Sequence, residues 1–388
     1  MDTINKIPEN IPVTENKRQS TYDYGLLILA LLFVALGLIF IYSTSAYTAA
    51  KKFSNPAFYF KRQSIYAVLG VVAMIVVSMV DYKIYYEKLK ILFVKVRLVY
   101  LLYALSLFLL VLVLLVGDEI YGAKRWLEIP KIGSFQPSEL AKICVIVFTA
   151  FIAYAKPKRL NSFKGFLIAF LYIGPLILLT GIEDLSTALV MAGIFFIVCF
   201  VTSKKTLYFV LTGAGAAGAV ILYILFGESF RSTRVTAWLN VDTDPNAYQI
   251  RRGLYAISSG GIFGKGLGES DLKLGYVPEA HNDMIFTIIC EELGLFGACA
   301  IIMLYVLMIY RIYKIAKNAR DLYGSLLAVG VMAHISLQVI INIAVVTNVI
   351  PATGLALPFI SYGGTSLVLL LCEIGMVLAV SKYSKDVK

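Results

Sequence analysis

The run YGLLILALLFVALGLIFIYSTS, from Tyr24 to Ser45, carries no charged residue over 22 positions. An α-helix rises about 1.5 Å per residue, so a run of this length crosses the roughly 30 Å hydrocarbon layer of a bilayer. It is longer than the 7–15-residue apolar core typical of a secretion signal, and it reads as a retained membrane helix. Similar runs recur at about 63–80, 98–116, 140–155, 166–181, 185–203, 206–226, 284–310, 325–347 and 365–381. The pattern predicts an all-α integral membrane protein of about ten transmembrane helices. Composition agrees: 59% of the 388 residues are hydrophobic, mean hydropathy is +0.81, and only 15% are charged against about 25% in soluble domains.

We read residues 1–23 as a polar tail, 24–382 as one ten-helix membrane domain and 383–388 as a second short tail. An even number of spans places both termini on one side. With that side inside, the inner segments hold 21 Lys and Arg and the outer segments 13, with Lys142 inside a span. The positive-inside rule then makes both termini cytoplasmic. The largest loop, about 227–283 between helices 7 and 8, is outer. So are Asp118–Glu139 and Asn348–Gly364. The net charge of +11 is scattered between spans with no basic, aromatic-interleaved block. That argues for lipid headgroups and membrane orientation, not nucleic acid. The five cysteines all lie in apolar runs without a CxxC pair, so they read as small packing residues and not as a disulfide or zinc framework.

The distinctive motifs fall on the outer side. Val277-Pro-Glu-Ala-His-Asn-Asp283 places a carboxylate at the mouth of the eighth helix. Ionisable groups at that depth are expensive and point to function, although Asn282 or Asp283 could simply cap the helix. Gly122-Ala-Lys-Arg-Trp126 offers Lys124 and Arg125 to a phosphate and Trp126 to the headgroup layer. In Gln136–Lys142, Glu139 and Lys142 share a helix face. Asp184, within Glu183-Asp-Leu-Ser-Thr187, suits a helix N-cap. Five glycines between Gly260 and Gly268 would let backbone amides approach a phosphate, or make a flexible turn. Pro351–Ser366 holds two prolines and three glycines, a broken backbone that must be buried in protein or line a wet cavity. His334, Gln338 and Asn342 form one stripe at spacing four. With Glu291, Glu292 and Glu373 they predict a polar layer beneath the outer surface.

Taken together, Gly122–Trp126, Gln136–Lys142, Ala256–Gly268, Lys273–Gly294 and Pro351–Ser366 resemble the SEDS family (shape, elongation, division and sporulation) over nearly all ten spans. The Lys273–Asp283 stretch is closer to the division and sporulation branch than to the elongation branch. Glu183 departs from the proline usual in the family. The resemblance implies a glycosyltransferase that polymerises lipid II, a disaccharide-peptide on undecaprenyl pyrophosphate, into β-1,4 glycan strands at the outer face of the bacterial plasma membrane. It implies Asp283 as the base and Lys124, Arg125 and Lys142 as cations for the pyrophosphate. Trp126, Glu139 and Asp184 match other important positions, and Glu279 and His281 flank the base. No cofactor is certain, and a divalent cation stays open. The implied partners are a class B penicillin-binding protein, a single-span transpeptidase, and other divisome or sporulation proteins. The transpeptidase contact is expected on spans eight and nine and the large outer loop, with Gly294, Gly297 and Ala298 in span eight permitting close approach. Two other functions fit a chain of this kind: a lipid flippase, disfavoured by the apolar inner halves of spans four, six and seven, and a non-catalytic scaffold.

Overall fold

The computed structural model describes residues 22–91, 94–120, 123–129, 133–205, 207–213, 215, 218 and 229–383. Eleven helices are labelled here. They are α1 Tyr24–Phe53, α2 Phe58–Met79, α3 Leu98–Val116, α4 Pro137–Ala155, α5 Phe163–Glu183, α6 Leu185–Thr202, α7 Ser229–Leu239, α8 Tyr248–Ser259, α9 Ile285–Asn318, α10 Leu322–Val346 and α11 Gly364–Lys382. Nine of them, all but α7 and α8, are long and apolar enough to cross a membrane among the described residues. The expected span at 206–226 lies largely outside those residues. Two small sheets decorate the helices. Lys88–Ile91 (β1) pairs antiparallel with Val94–Arg97 (β2). Asp118–Ile120 (β3), Ala123–Ile129 (β4) and Gly133–Phe135 (β5) make a three-stranded meander between α3 and α4.

One end of the bundle is tied by polar contacts. Asp23 caps α1 through the Leu26 amide at 2.8 Å and pairs with Arg311 of α9 at 3.6 Å. The Asp23 amide donates to Ser381 near the end of α11 at 3.2 Å, so both ends of the described chain meet. Because the helices alternate in direction, Glu139, Asp184 and Asp283 all fall at the opposite end. The spans α4, α10 and α11 are the most enclosed. Lipid tails are as apolar as leucine, so helix association in a membrane depends on close packing. Between α2 and α11 it is very close: a Cβ on Gly375 would sit 2.6 Å from the Met74 carbonyl.

The helix α9 is broken. Gly294 has φ 66° and ψ −167°, a conformation open to glycine alone. The break removes the bonds that the Leu295 and Phe296 amides would give to the Glu291 and Glu292 carbonyls. The Gly-rich loop takes up all four groups. Lys265 N donates to Glu291 O at 3.0 Å and Gly266 N to Glu292 O at 2.9 Å. In return, Leu295 N donates to Gly261 O at 3.0 Å and Phe296 N to Ile262 O at 3.1 Å. The approach requires bare backbone: a Cβ on Gly264 would lie 2.2 Å from Glu292 O, and one on Gly260 would lie 2.0 Å from Cys290 O. The glycine run is therefore built into a seam with the broken helix. Two of its amides are spent on the broken helix, and its glycines allow the seam to close. Gly294 also serves the chain's own interior rather than a helix-packing surface for a partner.

Gly294→Ala should lower stability by at least about 1–3 kcal/mol through the left-handed backbone alone. A Cβ there would also meet Gly264 N at 2.3 Å. Gly354→Ala, where a Cβ meets nothing within 4 Å, should be near neutral. Thermal unfolding of both variants in detergent measures the contrast.

Candidate functional site

The segment before α9 is held by its carbonyls. His281 O accepts from Tyr362 N at 2.8 Å, Asn282 O from Ser361 Oγ at 2.7 Å, and Asp283 O from Asn342 Nδ2 at 2.8 Å. Three consecutive peptide units are thus fixed to α10 and to the segment leading into α11. Glu279 adopts a left-handed φ of 50° and accepts a short bond from Asn282 Nδ2. The His281 ring is buried between Tyr59, at 4.5 Å between centroids, and Tyr362, at 5.7 Å. Burial holds its pKa down and favours the neutral ring. The Glu279 charge opposes that effect and Lys52 reinforces it.

Asp283 does not cap α9. Met284 occupies the cap position and no side chain bonds the first turn. The half-buried Asp283 carboxyl instead accepts from Gln249 Nε2 of α8 at 3.4 Å. Burial pushes its pKa up to about 7. The like charge of Glu279 adds to the rise, while Arg234 of α7 and local amides oppose it. Among the described residues, Asp283 enters no ion pair.

A second cluster joins α4, α10 and α11. Lys142 is 1% exposed and pairs with Glu139 at 2.8 Å, its Nζ reaching Gln338 Oε1 at 3.4 Å. Glu139 also accepts from Ser366 at 2.8 Å. His334 bridges Glu373 (2.7 Å) and Gln338 (2.8 Å). The two clusters share the α10 stripe: Gln338 donates to Ala356 O at 2.8 Å and Asn342 to Leu355 O at 2.7 Å. The stripe thus runs from the Asp283 loop to Lys142.

The third cluster stands on β4 and the α5–α6 turn. Arg125 Nε donates to Glu183 O at 2.8 Å, and its Nη1 lies 3.7 Å from Asp184 Oδ2. The Lys124 amide donates to Glu183 Oε2 at 2.9 Å. Asp184 caps α6 by accepting from Thr187 N at 3.0 Å and Thr187 Oγ1 at 2.9 Å, which realises the capping role its position suggests. Strand alternation turns Lys124 and Trp126 to the face opposite Arg125. Among the described residues no hydrogen bond or ion pair joins this cluster to the other two, and Gly122 lies outside them.

The expected polar layer divides. Glu373, His334, Gln338 and Asn342 line the α10 side, but Glu291 and Glu292 belong to the loop seam. Glu291 pairs with Lys265 at 2.7 Å and accepts a short bond from Ser270. Glu292 pairs with Lys273 at 2.7 Å and accepts from Ser43 of α1 at 2.5 Å. The break at Gly294, invisible in an apolar run, explains the split. Sequence reasoning gave no role to Arg234, Gln249, Tyr59, Ser361, Tyr362, Lys265 or Lys273. Ser361 and Tyr362 lie in the broken motif expected to be buried in protein or to line a wet cavity, but side-chain partners across the chain leave no periodic signal. No group of three or more His, Cys, Asp or Glu that could hold a metal ion forms among the described residues.

The family model for cell cycle proteins of the FtsW, RodA and SpoVE type matches residues 24–386. The chain belongs to that family. It is 40% identical to stage V sporulation protein E of Bacillus subtilis (strain 168), covering 95% of this chain and 99% of that protein. It is 37% identical to the probable peptidoglycan glycosyltransferase FtsW of Geobacter sp. (strain M18), covering 94% and 98%. Among solved structures, it is similar to a chain of a peptidoglycan synthase complex that coordinates polymerisation and crosslinking. The TM-score is 0.75 at 28% identity, with 93% of this chain and 98% of that chain covered. The rod shape determining protein RodA of Thermus thermophilus matches with a TM-score of 0.65 at 27% identity, covering 94% and 98%. The FtsW/RodA/SpoVE membership accords with the SEDS motifs, and the described spans form the same membrane fold.

In this family member Lys142→Met would leave Glu139 buried beside Gln338 and His334 without its cation. Breaking a buried pair costs about 3–5 kcal/mol. The double variant Glu139→Gln/Lys142→Met should recover part of that loss. Thermal unfolding of the two variants decides it: equal losses would mean the pair contributes only its packing.

Proposed function

We propose that the chain is a peptidoglycan glycosyltransferase of the bacterial plasma membrane, polymerising lipid II into β-1,4 glycan strands for division or sporulation. The observation that carries the reading is Asp283. Its backbone is clamped at three successive carbonyls, and its carboxyl is poised near neutral pH at the loop end of the bundle. A general base works best when its pKa lies near the working pH.

In the proposed reaction the acceptor's 4-hydroxyl attacks C1 of the donor N-acetylmuramic acid. The new C1–O bond forms as the bond to the pyrophosphate oxygen breaks, with inversion from α to β. Asp283 takes the hydroxyl proton, and the leaving pyrophosphate carries away the electron pair. Gln249 orients the carboxyl, while Glu279 and the neutral His281 shape its surroundings. Arg125 is the cation offered to the pyrophosphate; Lys124, its expected companion, lies on the opposite face of β4 and is not placed to join it. Asp184 and the Glu183 carbonyl hold Arg125 in place, and Trp126 sits at headgroup level. Lys142, enclosed by Glu139 and Gln338, acts through the network rather than as a free ligand. A class B penicillin-binding protein is the proposed partner, supported by the relative solved within a synthase complex that also crosslinks. A tethered transpeptidase would meet each new strand at high effective concentration. Gly297 is a poor probe of that contact, because a Cβ there would lie 2.1 Å from Leu293 Cβ within the chain itself.

Purified full-length protein given lipid II should make glycan polymer. Asp283→Asn should lower the rate about 10²–10⁴-fold, the range for a general base, while remaining folded. Near-normal polymer from that variant would sink the assignment. The base is active when ionised and burial has raised its pKa, so activity should climb through about pH 7 and level off above it. Below that point it should fall about tenfold per pH unit.

We also propose that both termini are cytoplasmic, from the charge bias and the meeting of Asp23 with Ser381. In intact cells an impermeant thiol reagent should label a cysteine placed at Lys124 and spare cysteines at Lys88 and Lys317. The reverse pattern would invert the topology.

A further inference from the structure

Asn342 lies on α10 one turn from Gln338 and is 1% exposed. Its Nδ2 donates at 2.8 Å to the Asp283 carbonyl and at 2.7 Å to the Leu355 carbonyl. Two carbonyl oxygens at that range fix the amide's orientation, because an oxygen turned toward them would meet two acceptors. Oδ1 is thereby buried with no donor. An unmet buried acceptor is destabilising, and an apolar residue of similar volume would avoid it. What asparagine supplies is the double donation. Ser361 makes a parallel stitch: its Oγ donates to Asn282 O at 2.7 Å and accepts from Leu357 N at 2.8 Å. The two stitches join the same two segments, 282–283 and 355–357. The carboxyl of Asp283 is held from the other side by Gln249 of α8.

We propose that Asn342 is a positioning residue for Asp283, holding the base's backbone against the Leu355 segment without touching substrate. The inference rests on the reading of Asp283 as the base. Clamping the peptide unit fixes where the carboxyl points and keeps it in its water-poor setting. The charged groups that act on it are Glu279 and Arg234. Neither of them is altered by substituting Asn342.

The test compares full-length wild type with Asn342→Leu, Asn342→Gln, Asp283→Asn and the Asp283→Asn/Asn342→Leu double variant, with lipid II as substrate. Asn342→Leu should lower kcat on the order of 10²-fold, the effect of a misplacement of about 1 Å, with KM changing less than about threefold. Its acid limb should move to lower pH, because a loosened loop admits water and relieves the burial that raises the pKa. Asn342→Gln keeps the NH₂ donor and should recover part of kcat. The double variant should be no slower than Asp283→Asn alone, since the two residues act as a unit. Ser361→Ala should shift the acid limb the same way by less, and it carries the test if Asn342→Leu does not fold. A folded Asn342→Leu with wild-type kcat overturns the proposal. So does a drop in kcat with an unmoved acid limb and additive losses in the double variant. Failure of the base reading is a separate result: Asp283→Asn would then be active whatever the Asn342 variants do.

Discussion

In a membrane protein, backbone that leaves the helix must find its hydrogen bonds inside the protein. Three such stretches stand at this end of the bundle: the turn 277–284 and the broken run 351–363, which meet at Asp283, and the glycine loop 260–268, which packs on α9 below it. Each is satisfied by the others or by a helix. The glycine loop exchanges four bonds with the two sides of the Gly294 break. The turn gives its carbonyls to Asn342, Ser361 and Tyr362. The broken run gives its own to Asn342, Gln338 and, through Pro358 O, to Tyr305 at 2.5 Å. Because each donor is committed, no one stretch can move without exposing buried polar groups. The carboxyl at the junction of the turn and the broken run inherits that rigidity, which loops on a soluble surface usually lack.

Charge is distributed with the same economy. Four buried carboxylates each have a basic partner: Glu139 with Lys142, Glu291 with Lys265, Glu292 with Lys273, and Glu373 with His334. Those groups serve structure, since a buried charge left alone costs several kcal/mol. Asp283 differs. Its bonded neighbour is the neutral Gln249, a like charge stands at Glu279, and Arg234 offsets only part of the burial. One type of side chain thus stands in two environments, and the proposed base is the carboxylate without a cationic partner among the described residues.

Much of this was legible in the sequence. Length and hydropathy give most spans to within a few residues, and α3 is 98–116 in both, but α1 and α9 each run eight residues past the expected ends. The stripe His334, Gln338 and Asn342 was readable because spacing four is a property of one helix. Properties that depend on two segments were not. Gly294 sits in an apolar run whose period gives no sign of a break, so Glu291 and Glu292 were placed at helix depth beside Glu373. The glycine run showed that close backbone approach was needed but not to what. Asp283 and Asp184 occupy similar positions before a helix, yet Asp184 caps its helix and Asp283 does not. The difference lies in Thr187, which donates twice to Asp184, and in Asn342 and Gln249, which take up Asp283.

The separation of the clusters constrains how the proposed chemistry would work. The Arg125 side chain and the Lys124 amide are fastened to the α5–α6 turn, while Asp283 is fastened to α8, α10 and the run before α11. No bond among the described residues links the two sets. A lone ion or small sugar would therefore engage one set or the other. A substrate that carries both a pyrophosphate and a sugar can span them, and the base is then useful only when the phosphate end is also held. That coupling would discriminate against water as the nucleophile: the carboxyl is poised near neutral pH but half-buried, and the acceptor hydroxyl must be brought to it. On the proposed reading, positioning more than intrinsic basicity would set the rate, and the bonds from Asn342, Ser361 and Tyr362 to the turn before α9 would serve that positioning.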